Sequence, residues 1–510
     1  MAMEDLAPMP ASNRPWRWHT LAVLWLTLQI NPGSYSLGGS LAALGLPPAR
    51  ALIVIGVMGC VVAFAVSLNS AAGVTYGVPF PVYARASYGL EGAKYAALSR
   101  GIVGLMWLSF QLWLSAVALA QCFDHAAPGF EDWAPIWSPY LSGTQLVMLL
   151  VMALLHVALI AAGVRNFSRL PYIVAPAGIA LFALIAAWSV TPSWGGGDGI
   201  GEVLRESALE QRSGAAGALG EGVMAWVAGC NSVVSYWSTV MLNMADLARF
   251  TPTQLDQSLG QAVGIPVPNL VIVGVGIVGS AAVFAKTGEV SWLPMDVFAT
   301  WPAWASIIAG LVIAVSTLAV NIAVNIIPPA NDFLNLCPTR LRWRWCAFFT
   351  VFAAIAICPF FLFHTPGGFV VQFIGGYGVV TGAIYGVMVT DYFLVRRRRL
   401  DLEDLYPAAP GTGAFQYWRG HNWRAVLATL LGVALPLPSW LVHLMGTPET
   451  LPGFLKFCGQ TSWFMSCAVA TATYLLACAA SPPPRSGHGQ ADALKSAACD
   501  EVERPCSEAA

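Results

Sequence analysis

Charge is what this sequence has least of. Only 10% of its 510 residues are Asp, Glu, Lys or Arg, against roughly 25% in soluble domains. With 57% hydrophobic residues and a mean hydropathy of +0.65, a soluble multi-domain enzyme and a disordered chain are poor fits. A net charge of −1 offers no basic surface to a nucleic acid. The strict apolar–polar alternation of membrane β-strands is also missing: runs such as 144–163 do not alternate. The eleven cysteines are odd in number and scattered, mostly in apolar runs (Cys60, Cys230, Cys346, Cys467). No pair has metal-ligand spacing and no disulfide framework is readable, so they read as small buried hydrophobes. Residues 1–17 lack the short apolar stretch of a signal peptide. No phosphate loop speaks for primary active transport. No His/Asp/Glu or Ser/His/Asp set shares a depth, so a membrane enzyme has no chemistry to run. A channel or receptor would want a pore-lining ring or a signalling loop, and neither is visible.

What is present in quantity is long apolar sequence. A spanning helix needs about 20 such residues. Twelve segments qualify, at 18–45, 48–70, 93–123, 144–165, 168–190, 219–247, 260–286, 302–328, 342–363, 368–395, 424–445 and 457–479. The fold class is therefore an all-α polytopic membrane protein. With the N-terminus in the cytoplasm, twenty of the 25 Lys and Arg residues fall on inner connections, including Arg100, Arg165, Arg169, Arg249 and the run Arg396–Arg399. Five fall outside (Arg50, Arg205, Arg212, Lys286, Lys456). This bias supports twelve spans with both termini inside, in the cell (plasma or inner) membrane. The Arg396–Arg399 run reads as an inner-surface anchor. The stretch 70–92 is too polar to span and reads as lying at the inner interface. The acidic, Gly-rich 191–218 reads as a solvated outer linker, and the Pro/Gly/Ser-rich tail after Ser481 as disordered.

Two spans look interrupted. Asn31-Pro32-Gly33 sits inside the first, where Pro32 has no N–H to donate and disfavours helix at Asn31. Such backbone is either a repaired kink or lines a cavity. Gly229-Cys230-Asn231-Ser232 in the sixth span is a polar, small-residue stretch, which alone also suits helix packing. Breaks at corresponding positions point to an inverted-repeat transporter with a midplane site. Two pairs of polar residues share helix faces at a spacing of four. Trp107 and Gln111 put an aromatic plane beside an amide, which suits a flat heterocycle and equally a helix–helix contact. Asn321 and Asn325 are either interhelical glue or site amides. His156 reads as a packed, hydrogen-bonded histidine.

At these residues the sequence resembles the nucleobase:cation symporter-1 family, which includes hydantoin, allantoin and uracil permeases. The motifs are GVPFPVYARASYG at 77–89, WLSFQLW at 107–113, WSTVMLNMADLARF at 237–250, NIAVNIIPPANDF at 321–333, TDYFLVRRRRLDLEDLY at 390–406 and YWRGHNW at 417–423. The resemblance implies a LeuT-like five-plus-five inverted repeat with broken helices 1 and 6, and alternating access. It implies a first repeat at 17–190, a second at 219–395, two extra helices at 424–480, and tails at 1–16 and 481–510. Trp107 and Trp237 match the tryptophans that stack on the two faces of the substrate ring. Gln111 and Asn325 match the amides that bond its edges. Asn31 falls where the hydantoin permease has a glutamine, and Tyr236 where it has a glycine, so the pocket is reshaped.

The resemblance also bears on coupling. The sodium-coupled hydantoin permease carries Ser and Thr hydroxyls six and five residues before the helix-8 asparagine, where this chain has Ala319 and Val320. Ser316 and Thr317 lie about one turn away, roughly 5 Å along the axis, against cation–oxygen distances of about 2.3–2.6 Å. Backbone carbonyls near Thr27 and Ile30 remain. The expectation is a secondary transporter of a small planar heterocycle, such as uracil, hydantoin or allantoin, coupled to a proton in preference to sodium. Asp246 and Glu221 are the candidate carriers. No cofactor, resident metal or nucleic acid is expected; the substrate and the lipid bilayer are the expected partners, and nothing in the sequence sets an oligomeric state.

Overall fold

The computed structural model describes residues 6–43, 45–127, 140–163, 170–191, 222–357, 360–407, 413–447 and 450–484. Most of the 191–218 linker, Glu221, Arg165, Arg169 and the tail from 485 lie outside them. Within them the regular structure is helical, as a chain without water to bond its backbone requires. The first half holds α1 (Trp18–Gln29), α2 (Pro32–Ala43), α3 (Pro48–Tyr76), α4 (Phe80–Tyr88), α5 (Ala93–Ala126), α6 (Gly143–Ala162) and α7 (Leu170–Val190). The second holds α8 (Val223–Asn243), α9 (Gln254–Gly264), α10 (Pro266–Thr287), α11 (Ala303–Val320), α12 (Ile327–Leu336), α13 (Trp343–Ile357) and α14 (Gly375–Thr390). After them come α15 (Trp423–Ala434), α16 (Leu437–Leu444) and α17 (Ser462–Ala480).

These helices follow the expected segments in order. Among the described residues, seven segments are long and apolar enough to cross a bilayer, eight when α15 and α16, bent by 47°, count as one. Val174–Val190 and Trp343–Ile357 are apolar but shorter. The first span is interrupted, and the sixth is diluted by Asn231, Ser232, Ser235, Ser238 and Thr239. Phe64, Leu154, Trp345 and Leu476 stand well exposed on the outside, as a lipid-facing belt requires. Inside, small residues let backbones touch. A Cβ on Gly38 would lie 2.0 Å from the Val273 carbonyl oxygen, and one on Gly276 would lie 2.1 Å from that of Tyr35. α2 thus lies directly on α10.

The first span breaks where expected. Ile30 caps α1, with its N–H donating to Leu26 at 3.1 Å, and α2 starts at Pro32. Proline cannot donate to the Leu28 carbonyl, and the Asn31 side-chain amide donates to it instead. The sixth span differs in where it yields. α8 runs unbroken through Gly229–Ser232 to Asn243, and the irregularity comes at Met244, before a short turn of helix over Ala245–Ala248.

Two readings of the inner surface are corrected, for Arg100 and Arg396, and a third gains detail. The 80–88 stretch, read as too polar to span, forms a short helix, α4, packed into the protein and buried at eight of its nine residues. Its polar groups find protein partners, Phe80 N–H on Asp246 at 2.8 Å and Arg85 on Asn335 at 2.8 Å. Arg100 is no loop residue; it lies inside α5, 1% exposed, 3.5 Å from the fully buried Asp332. Arg396 is no anchor either. It donates to Asp391 at 2.8 Å, which also accepts from Tyr474 at 2.8 Å and Ser87 at 3.1 Å. Only Arg397–Arg399 of that run are exposed.

Candidate functional site

The break in the first span sets one wall. Because Asn31 is spent on Leu28 and on Ser34 Oγ (3.0 Å) through its Nδ2, its Oδ1 is free to accept. It accepts the Ser34 N–H at 3.2 Å and Gln111 Nε2, from α5, at 3.2 Å. Ser34 Oγ in turn lies 3.3 Å from the Tyr236 hydroxyl on α8. Gly33 stands where these groups converge: a Cβ there would be 2.9 Å from Asn31 Oδ1, 3.1 Å from Tyr236 Oη and 3.3 Å from Gln111 Nε2. Gln111 Oε1 is buried with no hydrogen-bond partner among the described residues. An unpaired buried acceptor costs about 1–3 kcal/mol, so this oxygen is poised for a donor that the protein does not supply.

Aromatic rings form the other wall. Trp107 stands one turn before Gln111 on the same face of α5. Its ring meets Tyr236 edge-on at 5.0 Å, and Tyr236 meets Trp237 at 4.8 Å. Tyr236 therefore stands between the two tryptophans, which are joined through it. Trp237 is fixed from behind: its indole N–H donates to Asn269 at 3.1 Å, and Trp25 packs on it at 5.4 Å. Phe369, Phe373 and Tyr377 of the tenth span surround Trp107 at 5.2–6.3 Å. This stripe at a spacing of four was legible in the sequence but was not singled out.

Asn325 belongs to a second cluster. It lies in a π-helical turn, Asn321–Ile326, between α11 and α12; such turns frequently mark functional sites. Its Nδ2 donates to Asn321 Oδ1 at 2.8 Å, and Asn321 Nδ2 meets His156 Nε2 at 3.2 Å. The cluster is tied to α5 through Arg100, whose Nη2 donates to the Val324 carbonyl at 3.0 Å.

The cation candidates do not gather. Thr27 donates to its own helix at Val23, and Ser316 and Thr317 both donate to Ile313, at 2.9 and 2.7 Å. Ile30 packs against α7 at Gly178. Asp246 is buried, with Phe80 on one oxygen and no hydrogen-bond partner among the described residues on the other. It interacts electrostatically with Arg100 and Asp332. Sequence reading missed Ser34, Asn269, Arg100 and Asp332. A lone arginine inside an apolar span was the available signal for Arg100; Asp332 lies past the end of the eighth segment as read, 302–328.

A family model described as a permease for cytosine/purines, uracil, thiamine and allantoin matches residues 8–466. The chain belongs to this family. It is 29% identical to the allantoin permease of Bacillus subtilis, over 95% of this chain and 94% of that one. It is 28% identical to a purine-uracil permease of Arabidopsis thaliana, over 89% and 74%. The solved inward-facing structure of Mhp1 superposes with a TM-score of 0.72 at 17% identity, covering 98% of both chains. Mhp1 closed on bromovinylhydantoin gives 0.69 at 18%, covering 94% and 96%. The fold is thus the LeuT-like inverted repeat of the nucleobase:cation symporters, and the protein is a polytopic membrane transporter, not an enzyme.

Proposed function

We propose that this chain carries a small planar heterocycle with adjacent N–H and C=O groups, of the uracil, hydantoin or allantoin kind, into the cell with a proton. The observation that carries the reading is the convergence of Asn31, Gln111 and Tyr236 on the Cβ-less position of Gly33, beside Trp107. Here a ring can lie on an aromatic face while its N–H meets the unpaired Gln111 oxygen. Tyr236 fills the gap between Trp107 and Trp237, so entry of a ring requires that side chain to swing aside. Trp107, Trp237, Gln111 and Asn31 contact the ring in this reading, and Asn325 bonds its far edge.

Proton coupling is supported by two features. No hydroxyl stands at Ala319 or Val320, and those of Ser316 and Thr317 are turned back on their own helix. Buried Asp332 pairs with Arg100 within the bundle, buried Asp246 interacts electrostatically with both, and intramembrane acids are the usual proton carriers. The charge bias supports placing the termini and Arg397–Arg399 on the cytoplasmic face of the cell membrane.

Counterflow in proteoliposomes tests the reading. Labelled uracil or allantoin should exchange saturably, and accumulation should collapse with a protonophore and survive removal of sodium. Failure to exchange any of about a dozen such heterocycles defeats the substrate class; dependence on sodium defeats the coupling.

A further inference from the structure

His156 lies in the middle of α6, fully buried, and its two ring nitrogens face chemically different partners. Nδ1 is 2.7 Å from the carbonyl oxygen of Met152, one turn back. A carbonyl only accepts, so Nδ1 carries the hydrogen. In the neutral ring Nε2 is then a pure acceptor. Facing it at 3.2 Å is Asn321, which must present its NH2 end. That choice turns Asn321 Oδ1 the other way, where it accepts Asn325 Nδ2 at 2.8 Å. Each bond dictates the polarity of the next, and the chain ends with the Asn325 amide nitrogen committed inward.

The register of the helices brings that end to the site. A Cβ on Gly101 would touch Phe333, one on Gly104 would touch Pro329, and one on Gly310 would touch Cys122. α5 thus runs antiparallel to the α11–α12 span, and this register sets Asn325 level with Trp107. Asn325 keeps 6% exposure where Asn321 and His156 have none.

We propose that His156 is a positioning residue which, through Asn321, fixes Asn325 with its carbonyl oxygen toward the ligand, so that the site selects ring edges presenting an N–H there. The inference rests on the substrate reading above for its ligand, but not for its geometry. Without the constraint, the Asn325 amide can rotate by a half-turn and offer donor or acceptor alike. A site built to bond a ligand N–H discriminates against an analogue lacking it, because its own buried group is left unpaired.

The test has a ligand-free arm and a ligand arm, both on the full chain. In nitrogen-15 histidine-labelled protein, the His156 signals, assigned by their loss in H156Q, should show Nδ1 protonated and Nε2 bare at neutral pH. A proton on Nε2 overturns the proposal. Uracil, whose N3 donates, and cytosine, whose N3 accepts, are then compared by competition in wild type, H156Q and H156L. Wild type should prefer uracil by about ten-fold, the value of one good hydrogen bond. H156Q can turn either end of its amide to Asn321 and H156L offers it neither, so both should bring the ratio to within about two-fold. An unchanged ratio in H156L overturns the proposal. If wild type binds neither compound, the substrate reading fails, and the tautomer alone decides whether His156 orients Asn325.

Discussion

The first and sixth spans were both expected to break, the sixth on the weaker signal, and only the first yields at the residues that carried the expectation. Pro32 removes a backbone donor, and only a side chain placed as Asn31 is can meet the orphaned Leu28 carbonyl. Gly229–Ser232 removes nothing. Each residue there keeps its N–H, so the helix continues, and the polar side chains find partners sideways. Ser232 donates to Ala228 at 2.8 Å, and Asn231 bridges to α17, donating to Ser462 at 3.1 Å and accepting from Trp463 at 2.9 Å. A missing donor breaks a helix; surplus polar groups glue it to its neighbours.

The contrast breaks most severely if Asn231 is removed. Asn231→Leu leaves the Ser462 hydroxyl and the Trp463 N–H without this partner, at about 1–3 kcal/mol each. Thermal stability in detergent should fall clearly, while ligand affinity of the surviving protein stays within about two-fold. A stable variant that has lost its ligand would make the sixth-span stretch part of the site.

On the site side, Trp107→Ala and Trp237→Ala should each weaken binding with membrane expression intact. Stacking on one ring face is worth about 1–3 kcal/mol by analogy with base–aromatic stacking, roughly ten- to hundred-fold in affinity. Trp237 is the sharper case, because Asn269 and Trp25 hold it independently of any ligand. Normal uptake by either variant would remove that residue from the stack.

Gln111→Ala separates the ligand bond from the protein network. It removes the orphan oxygen and also the donor to Asn31. An analogue lacking the facing N–H should lose about 1–2 kcal/mol in wild type and little more in the variant. Additive losses in this double cycle would show that the two groups never meet.

The sequence made legible what depends on one residue's own chemistry or on spacing along one helix. Pro32 announces its break because the missing N–H is a covalent fact. Trp107 and Gln111 announce a shared face because four residues make about one turn. Arg100 misled, because a basic residue near a span end resembles a loop residue until Asp332, distant in sequence, is seen beside it. His156 was read correctly as packed and hydrogen-bonded, but its consequence depends on Asn321, which only the fold brings to it. Asn231 reads as a break or as helix packing until Ser462 and Trp463, arriving from the last span, decide for packing.

The smallest effect expected is none, and it concerns whether the opening in the first span serves a cation as well as the ligand. α1 ends in carbonyls near Thr27 and Ile30, which could coordinate an ion only with oxygens from the eighth span. Those oxygens are absent at Ala319 and Val320, and Ser316 and Thr317 are bonded to Ile313. Sodium symport requires reciprocal coupling between ion and substrate, typically about 1–3 kcal/mol, or roughly 5- to 150-fold in affinity. Labelled substrate titrated in sodium and in choline should therefore give Kd values within about two-fold. Several-fold tightening by sodium would mean that the break coordinates an ion after all, and that Ser316 or Thr317 turns from Ile313 to reach it. The first span would then owe its opening to two ligands, not one.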